Sequence, residues 1–449
     1  MKSTALSNNN RIRPAPIELL LDHMSHMVSL YIHVVIDLPK KIDLQILHRA
    51  MRLVASKEPV ISSRYIRREN RAYWQTEKDP SWDIKETYIG DEFCGYSPDL
   101  VSNSSHPENQ LPIGIRLMHL KHCDRLHIRI SHILSDAGGS RKLVYNLAAA
   151  YRKALSQTDR HAPPAAYAFK DTTNMESRDF KSVFKCLTNF RTDLLLSGLW
   201  SDKIAFLPNK NYFTIPMKLG KDSARKIVTL HIDSNRVARL KKRGKKHNAT
   251  LNDILLTAFS RALSNQFEST QTTGKKLGII VTSDMRKFIG CDDYLGNMSN
   301  WGILKLGKIP LSRKAEFIED VVRSTRRWKK KLCGLGNFLF NLAILQCNTD
   351  RSIRFITRKF ITAGPVSKAC RIVFTNLGKL DREKLDFGNG PCLNGYILPP
   401  IGFPPLFIAG ASGFAGKLSI SMGYLTGSLS DNAIADLTDE IDRELRILE

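Results

Sequence analysis

Apolar and polar positions along the chain change period repeatedly, and each change marks an expected element. SLYIHVVID (29–37) is rich in β-branched residues and reads as a strand; DLQILHRAMRLVA (43–55) then spaces Leu44, Leu47, Met51 and Val54 along one helix face. VISSRYI (60–66) and AYWQT (72–76) read as a hairpin, and IGIRLMHL (113–120) with RLHIRIS (125–131) as a second, joined by KHCD. The segment RKLVYNLAAAYRKAL (141–155) is an amphipathic helix, after which residues 156–180 are polar with two prolines, the composition of a loop or linker. The pattern restarts with the strand KIVTLHID (226–233), a short basic helix, and ATLNDILLTAFSRAL (249–263), where Thr250 and Asp253 carry a capping-box signature. Strand KLGIIVTSD (276–284), helix 313–332, strands RIVFTN (371–376) and GKLSISMGY (416–424), and a helix 431–448 striped by Ile434, Leu437, Ile441 and Leu445 follow. Both halves run strand, helix, strand. The expectation is an α/β (α+β) protein of two similar lobes, residues 1–180 and 221–449, with a linker region at 181–220.

Composition narrows this picture. At 449 residues with 42% hydrophobic content, the chain is long enough for two folded units with large cores. No apolar run reaches the roughly 18 residues of a membrane helix; LFIAGASGFAG (406–416) is too rich in glycine. The first residues lack a signal-peptide pattern, and the eight cysteines form no CxxC pair, so neither a zinc site nor a disulfide framework is expected. These features together predict a cytoplasmic, soluble protein.

A net charge of +25 adds an anionic partner to the expectation. The charge concentrates in three clusters of the second half: seven Lys/Arg in 236–247, six in 323–331 and four in 351–359. Each taken alone reads as a solvated face; together they suit a phosphorylated cofactor, an acidic protein or an anionic membrane surface. No nucleic-acid-binding motif is present, and nucleic acid is not expected as a partner.

The chemistry concentrates in RLHIRISHILSDAGGS (125–140). Leu126, Ile128 and Ile130 alternate with polar residues as in a half-buried strand, and that period puts His132 toward the interior. Small residues after Asp136 permit a sharp turn into the next helix. A histidine in apolar surroundings stays neutral and is able to accept a proton. Two readings stay open on these residues: a general base, and a core histidine bonded to backbone. Phosphate-loop, dinucleotide-binding, HExxH and GxSxG signatures are absent, and no metal is expected.

Three downstream stretches change the balance: VTSDMRKFIGCDDYLGNMSNWG (281–302), FTNLGKL (374–380) and DFGNG (386–390). With the HxxxD of residues 132–136, the chain from about 17 to 447 resembles the superfamily of thioester-dependent acyltransferases with the chloramphenicol acetyltransferase fold. Condensation domains of peptide synthetases, BAHD acyltransferases, wax-ester synthases and polyketide-associated acyltransferases are members. The resemblance implies two lobes with mixed sheets and a substrate tunnel between them. It implies that His132 is the catalytic base and that Asp136, the motif aspartate, pairs with Arg286. Ser131 stands where condensation domains have a first histidine, as in the BAHD branch; Ala137 replaces the usual motif glycine, with Gly138 next. Ser131, Gly138, Asp284 and Arg286 are the expected structural support of the site. Asn297 in DYLGN, and Asn376 with Gly378 in FTNLGKL, are expected along the substrate channel. DFGNG resembles the BAHD motif DFGWG, with Asn389 in place of tryptophan.

The function this implies is transfer of an acyl group from a thioester to a hydroxyl or amine. No tightly bound cofactor is expected. The donor is acyl-CoA or the phosphopantetheinyl thioester of an acidic acyl or peptidyl carrier protein, with a slight preference for coenzyme A from the Ser131–His132 pair. The acceptor is a small-molecule alcohol or amine, and the protein is expected as a monomer. The competing reading is a non-catalytic condensation-like module that binds a carrier protein.

Overall fold

The computed structural model describes residues 11–39, 42–68, 71–89, 95–102, 110–157, 213–218, 223–267, 276–307, 316–336, 338–339, 350–356 and 371–449. Most of the expected linker, and positions 357–359 of the third basic cluster, lie outside them.

The first half supplies seven strands: β1 (Arg11–Ile12), β2 (Tyr31–Leu38), β3 (Ser63–Arg68), β4 (Arg71–Thr76), β5 (Asp83–Tyr88), β6 (Ile113–His119) and β7 (Asp124–Ser131). Both expected hairpins form, β3 with β4 and β6 with β7, each antiparallel. Residues 60–62 belong to a short 3-10 turn before the first hairpin. Helix Leu44–Lys57 is capped by Asp43, whose carboxylate accepts from the Ile46 amide at 2.8 Å. The helix after β7 spans Ala137–Ser156, starting four residues before the periodic segment because the Asp136 side chain caps it through Gly139.

The second half supplies β8 (Arg225–Ile232), β9 (Leu277–Asp284), β10 (Ser299–Gly307), β11 (Ile372–Leu380), β12 (Asn394–Leu398), β13 (Phe407–Phe414) and β14 (Lys417–Leu425). Six of them form a sheet in the order β10-β9-β11-β13-β14-β8, with β11 parallel to both neighbours. Helices Ser234–Lys246, Leu251–Phe267, Phe317–Lys330 and Asp431–Ile447 accompany it. Thr250 and Asp253 close the expected capping box: the Asp253 carboxylate accepts from the Thr250 amide at 2.7 Å, and the Thr250 hydroxyl accepts from the Asp253 amide at 3.4 Å. The stripe Ile434, Leu437, Ile441, Leu445 packs into a core with Leu255, Phe259, Phe374 and Ile420. No described helix is long and apolar enough to cross a membrane.

The other main sheet runs β12-β2-β7-β6-β5, so a strand from the second half completes it. One face presents Ile32, Val34, Ile36, Ile115, Leu126, Ile128 and Ile130 to helices Leu44–Lys57 and Ala137–Ser156. Complete burial of such side chains contributes about 1.5–3 kcal/mol each. The opposite face differs from the expected half-buried strand: His127, Arg129 and Ser131 are buried too. The reason is a second cover, a small apolar cluster of Val35, Val101, Ile227, Tyr396, Leu398 and Ile401 that brings β8 and residues 98–102 onto that face.

Candidate active site

β7 ends at Ser131, so His132 lies in the turn that follows, and local hydrogen bonds, instead of strand alternation, set its orientation. The His132 amide donates to the Leu30 carbonyl at 2.7 Å, tying the turn to the chain just before β2. Asn297 Nδ2 donates to the carbonyls of His132 at 3.0 Å and Ile133 at 2.9 Å. The half-buried imidazole places Nδ1 3.1 Å from the Ser135 carbonyl. A carbonyl only accepts, so Nδ1 carries the proton and Nε2 is left with the lone pair. Burial lowers the affinity of His132 for a second proton, and nearby Asp136 opposes this only in part. The ring is thereby held as a neutral base with a defined basic nitrogen.

Asp136 is buried and fully engaged. Oδ1 accepts from Arg286 Nη2 at 2.8 Å and the Gly139 amide at 2.9 Å. Oδ2 accepts from Arg286 Nη1 at 3.1 Å, the Met298 amide at 2.7 Å and the Ser299 hydroxyl at 3.0 Å. Burial pushes its pKa up, but the Arg286 charge and these donors more than offset that and hold it at about 2. Arg286 is buried as well; its Nε donates to the Tyr294 carbonyl at 2.9 Å, Nη2 to the Gly296 carbonyl at 2.5 Å and Nη1 to Asp284 Oδ1 at 3.0 Å. Burial disfavours its charge, yet Asp136 and Asp284 raise its pKa. The two halves of the sequence are therefore clamped together by a two-pronged ion pair beside the histidine turn.

Gly138 leaves room for that clamp. A Cβ there would stand 2.5 Å from Arg286 Nη1 and 2.7 Å from Asp284 Oδ2. Ser131 is buried, faces Tyr31 across the β2–β7 register, and has a hydroxyl without a partner among the described residues. Asn376 and Gly378 sit apart from this network, at a bulge of β11. The Asn376 side chain accepts from the Gly378 amide at 2.9 Å, and Gly378 holds φ +86° beside the Arg141 guanidinium. Arg141 was not anticipated from the sequence. It donates to the Leu377 carbonyl and lies 3.9 Å from Asp284, joining the bulge to the clamp. A cation near a helix N-terminus opposes the helix dipole, and that is the signal in the sequence that marks it.

Two of the basic clusters converge. Lys246 and His247 from one and Arg323, Arg326, Arg327 and Lys330 from the other line a groove of about 490 Å³. Arg326 donates to the Asn248 carbonyl at 3.1 Å across it. Arg236 and Arg239 of the first cluster are instead bound to Asp442 and Glu449 at the last helix.

No family model matches the chain, and no curated protein is similar enough to match. Solved structures do match. The epimerization domain from the third module of tyrocidine synthetase B is similar over 98% of this chain and 97% of its own, at a TM-score of 0.63 and 17% identity. SgcC5 from Streptomyces globisporus covers 97% and is covered over 98%, at 0.67 and 12%. The TRI3 trichothecene 15-O-acetyltransferase from Fusarium sporotrichioides covers 100% and is covered over 98%, at 0.65 and 11%. At these identities the likeness is one of fold: the chain shares a mixed α/β fold with these proteins over nearly its whole length. Condensation-type and acetyltransferase-type proteins both occur among its structural neighbours.

Proposed function

We propose that this protein transfers an acyl group from a thioester to a hydroxyl or amine, with His132 as general base. The observation that carries the reading is the hydrogen bond from His132 Nδ1 to the Ser135 carbonyl, which leaves Nε2 as the basic nitrogen of a half-buried, neutral ring. In the reaction, Nε2 removes the acceptor proton as its oxygen or nitrogen attacks the thioester carbonyl. The resulting imidazolium returns that proton to sulfur as the carbon–sulfur bond breaks, so proton and charge balance over one cycle. A positioned base of this kind is worth about 10²–10⁴ in rate, and holding both substrates in a channel between lobes adds an entropic advantage. Asp136 and Arg286 position the turn and do not touch substrate. Asn297, whose amide holds the turn, and Asn376 with Gly378 at the β11 bulge are assigned to the channel wall.

The donor is acyl-CoA or a carrier-protein phosphopantetheinyl thioester; the basic groove around Arg323 and Arg326 is its proposed docking surface, suited to phosphates or to an acidic carrier. The test is mass spectrometry of products after incubating the protein with acyl-CoA or acyl-carrier donors and a panel of alcohols and amines. Ester or amide products that vanish in His132→Ala support the proposal. Carrier binding without product from any donor supports the non-catalytic module instead.

A further inference from the structure

The charged face of the five-stranded sheet borders a second site. An open cavity of about 710 Å³ is lined by Arg64, Lys85, Arg116, Arg129 and Arg225, with Asp83 the one acidic residue among the described lining. None of its described lining residues belongs to the 132–136 turn or to the Arg286 clamp. The cations come from separate elements, β3, β5, β6, β7 and β8, which the fold brings to one wall.

Arg129 is the central member. It is 3% exposed, its guanidinium stacks 4.8 Å from the Tyr31 ring centroid, and Nη2 donates to Gln110 Oε1 at 3.3 Å. Its nearest carboxylate, Asp83, is 3.8 Å away and already accepts from Arg116 Nη2 at 3.0 Å. Arg129 Nε is buried with no hydrogen-bond partner among the described residues. A buried guanidinium with an unmet donor is costly unless an acceptor reaches it. Arg225 lies 5.4 Å from the Phe403 ring, and burial disfavours its charge.

The neighbouring histidines do not neutralise this wall or add to its charge. The Ser97 amide donates to His127 Nδ1 at 3.0 Å, so His127 Nε2 carries the proton and donates to His33 Nδ1, also at 3.0 Å. Burial, then the charges of Arg116, Arg129 and Arg125, push His127 down to about 3. A positive field from fixed guanidiniums is what a neutral pair leaves behind.

We propose that this cavity binds the phosphate ester of a small molecule, with Arg129 gripping the phosphate and Arg116, Arg225, Lys85 and Arg64 around it. Asp83, Asp99 beside Arg116 and Glu77 beside Arg64 offset three of the five cations; the surplus of two favours a doubly charged anion over a single carboxylate, and a planar guanidinium matches phosphate oxygens two at a time. The volume is that of a small-molecule site. The inference is independent of acyl transfer, because the cavity shares no residue with that machinery.

Isothermal titration calorimetry with inorganic phosphate, glucose 6-phosphate and coenzyme A, at fixed ionic strength against chloride, tests it. One saturable phosphate site per chain is expected, weakened at least tenfold in Arg129→Met and severalfold in Lys85→Met, the rim variant that tests the site should Arg129→Met fail to fold. His132→Ala is expected to bind phosphate as the wild type does. Tighter binding of coenzyme A than of glucose 6-phosphate assigns the phosphate to a thioester donor, and the reverse order to a separate metabolite; either upholds the site. Absence of saturable phosphate binding by the wild type, equal binding by Lys85→Met and Arg129→Met, or its loss in His132→Ala overturns the proposal.

Discussion

Removing Arg286 should destabilise the protein more than an ordinary surface change, and in a pH-dependent way. In Arg286→Met, Asp136 keeps three donors, the Gly139 and Met298 amides and the Ser299 hydroxyl, but loses the charge that balances its own. The buried carboxylate is then uncompensated, at a cost of about 3–5 kcal/mol. The wild-type pKa gives a second, independent figure. A fall from 3.8 to about 2, at about 1.36 kcal/mol per pH unit, is worth roughly 2–3 kcal/mol. The folded-state pKa lies below the unfolded one, so this stability is present above about pH 4 and is lost as pH falls toward 2. Guanidinium denaturation of wild type, Asp136→Asn, Arg286→Met and the double variant measures it at pH 7 and at pH 3. Asp136→Asn should cost less, because Arg286 retains Asp284 and two backbone carbonyls. At pH 7 the double variant should lose less than the sum of the singles, by about 0.5–3 kcal/mol. The gap between wild type and Arg286→Met should narrow at pH 3. Strict additivity, or an Arg286→Met loss below about 1 kcal/mol with no pH dependence, refutes the reasoning.

Four further outcomes are expected. His132→Ala should lower turnover at least about 100-fold while its circular dichroism and denaturation midpoint stay near wild type; full activity in the folded variant excludes the mechanism. Because burial lowers the His132 pKa and the base acts when neutral, kcat/KM should rise with pH with its midpoint below the ordinary histidine value of 6.5; a midpoint above 6.5 contradicts this. Gly138→Ala, whose methyl would meet Arg286 and Asp284, should lose both stability and activity, as read by denaturation and product formation together. Arg323→Glu with Arg326→Glu should raise KM for a carrier-protein donor and flatten its salt dependence, whereas unchanged constants with either donor remove the groove from donor docking.

Elements with clean periodicity were legible in the sequence because one face decides their fate. The Ile434–Leu445 stripe and the Leu44–Val54 face both lie where the spacing puts them. β13 was not legible: FIAGASGF is a central strand with small residues on both faces, so it shows no alternation and the pattern assigns it no element. β12 is only five residues long and pairs with β2, more than 350 residues upstream, a partner no local window contains. The site divided in the same way. Asp136, Arg286 and Asn297 bond through side chains and were named from motif residues, whereas the Met298 amide and the carbonyls of Tyr294, Gly296 and Ser135 act through backbone, which any residue supplies. Buried Arg129 looked like the solvent side of a strand, because nothing in RLHIRIS announces that β8 will cover it.

The strand borrowed by the first sheet carries a cost during synthesis. β2 hydrogen-bonds to β7 on one side and to Asn394–Leu398 on the other, and all of its residues are buried in the finished protein. β7 leaves the ribosome some 260 residues before β12 does. At about 5–20 residues per second, the apolar edge of β2 stays open for about 13–50 s. An unpaired edge of this kind is a template for another chain until the last strand of the sheet arrives.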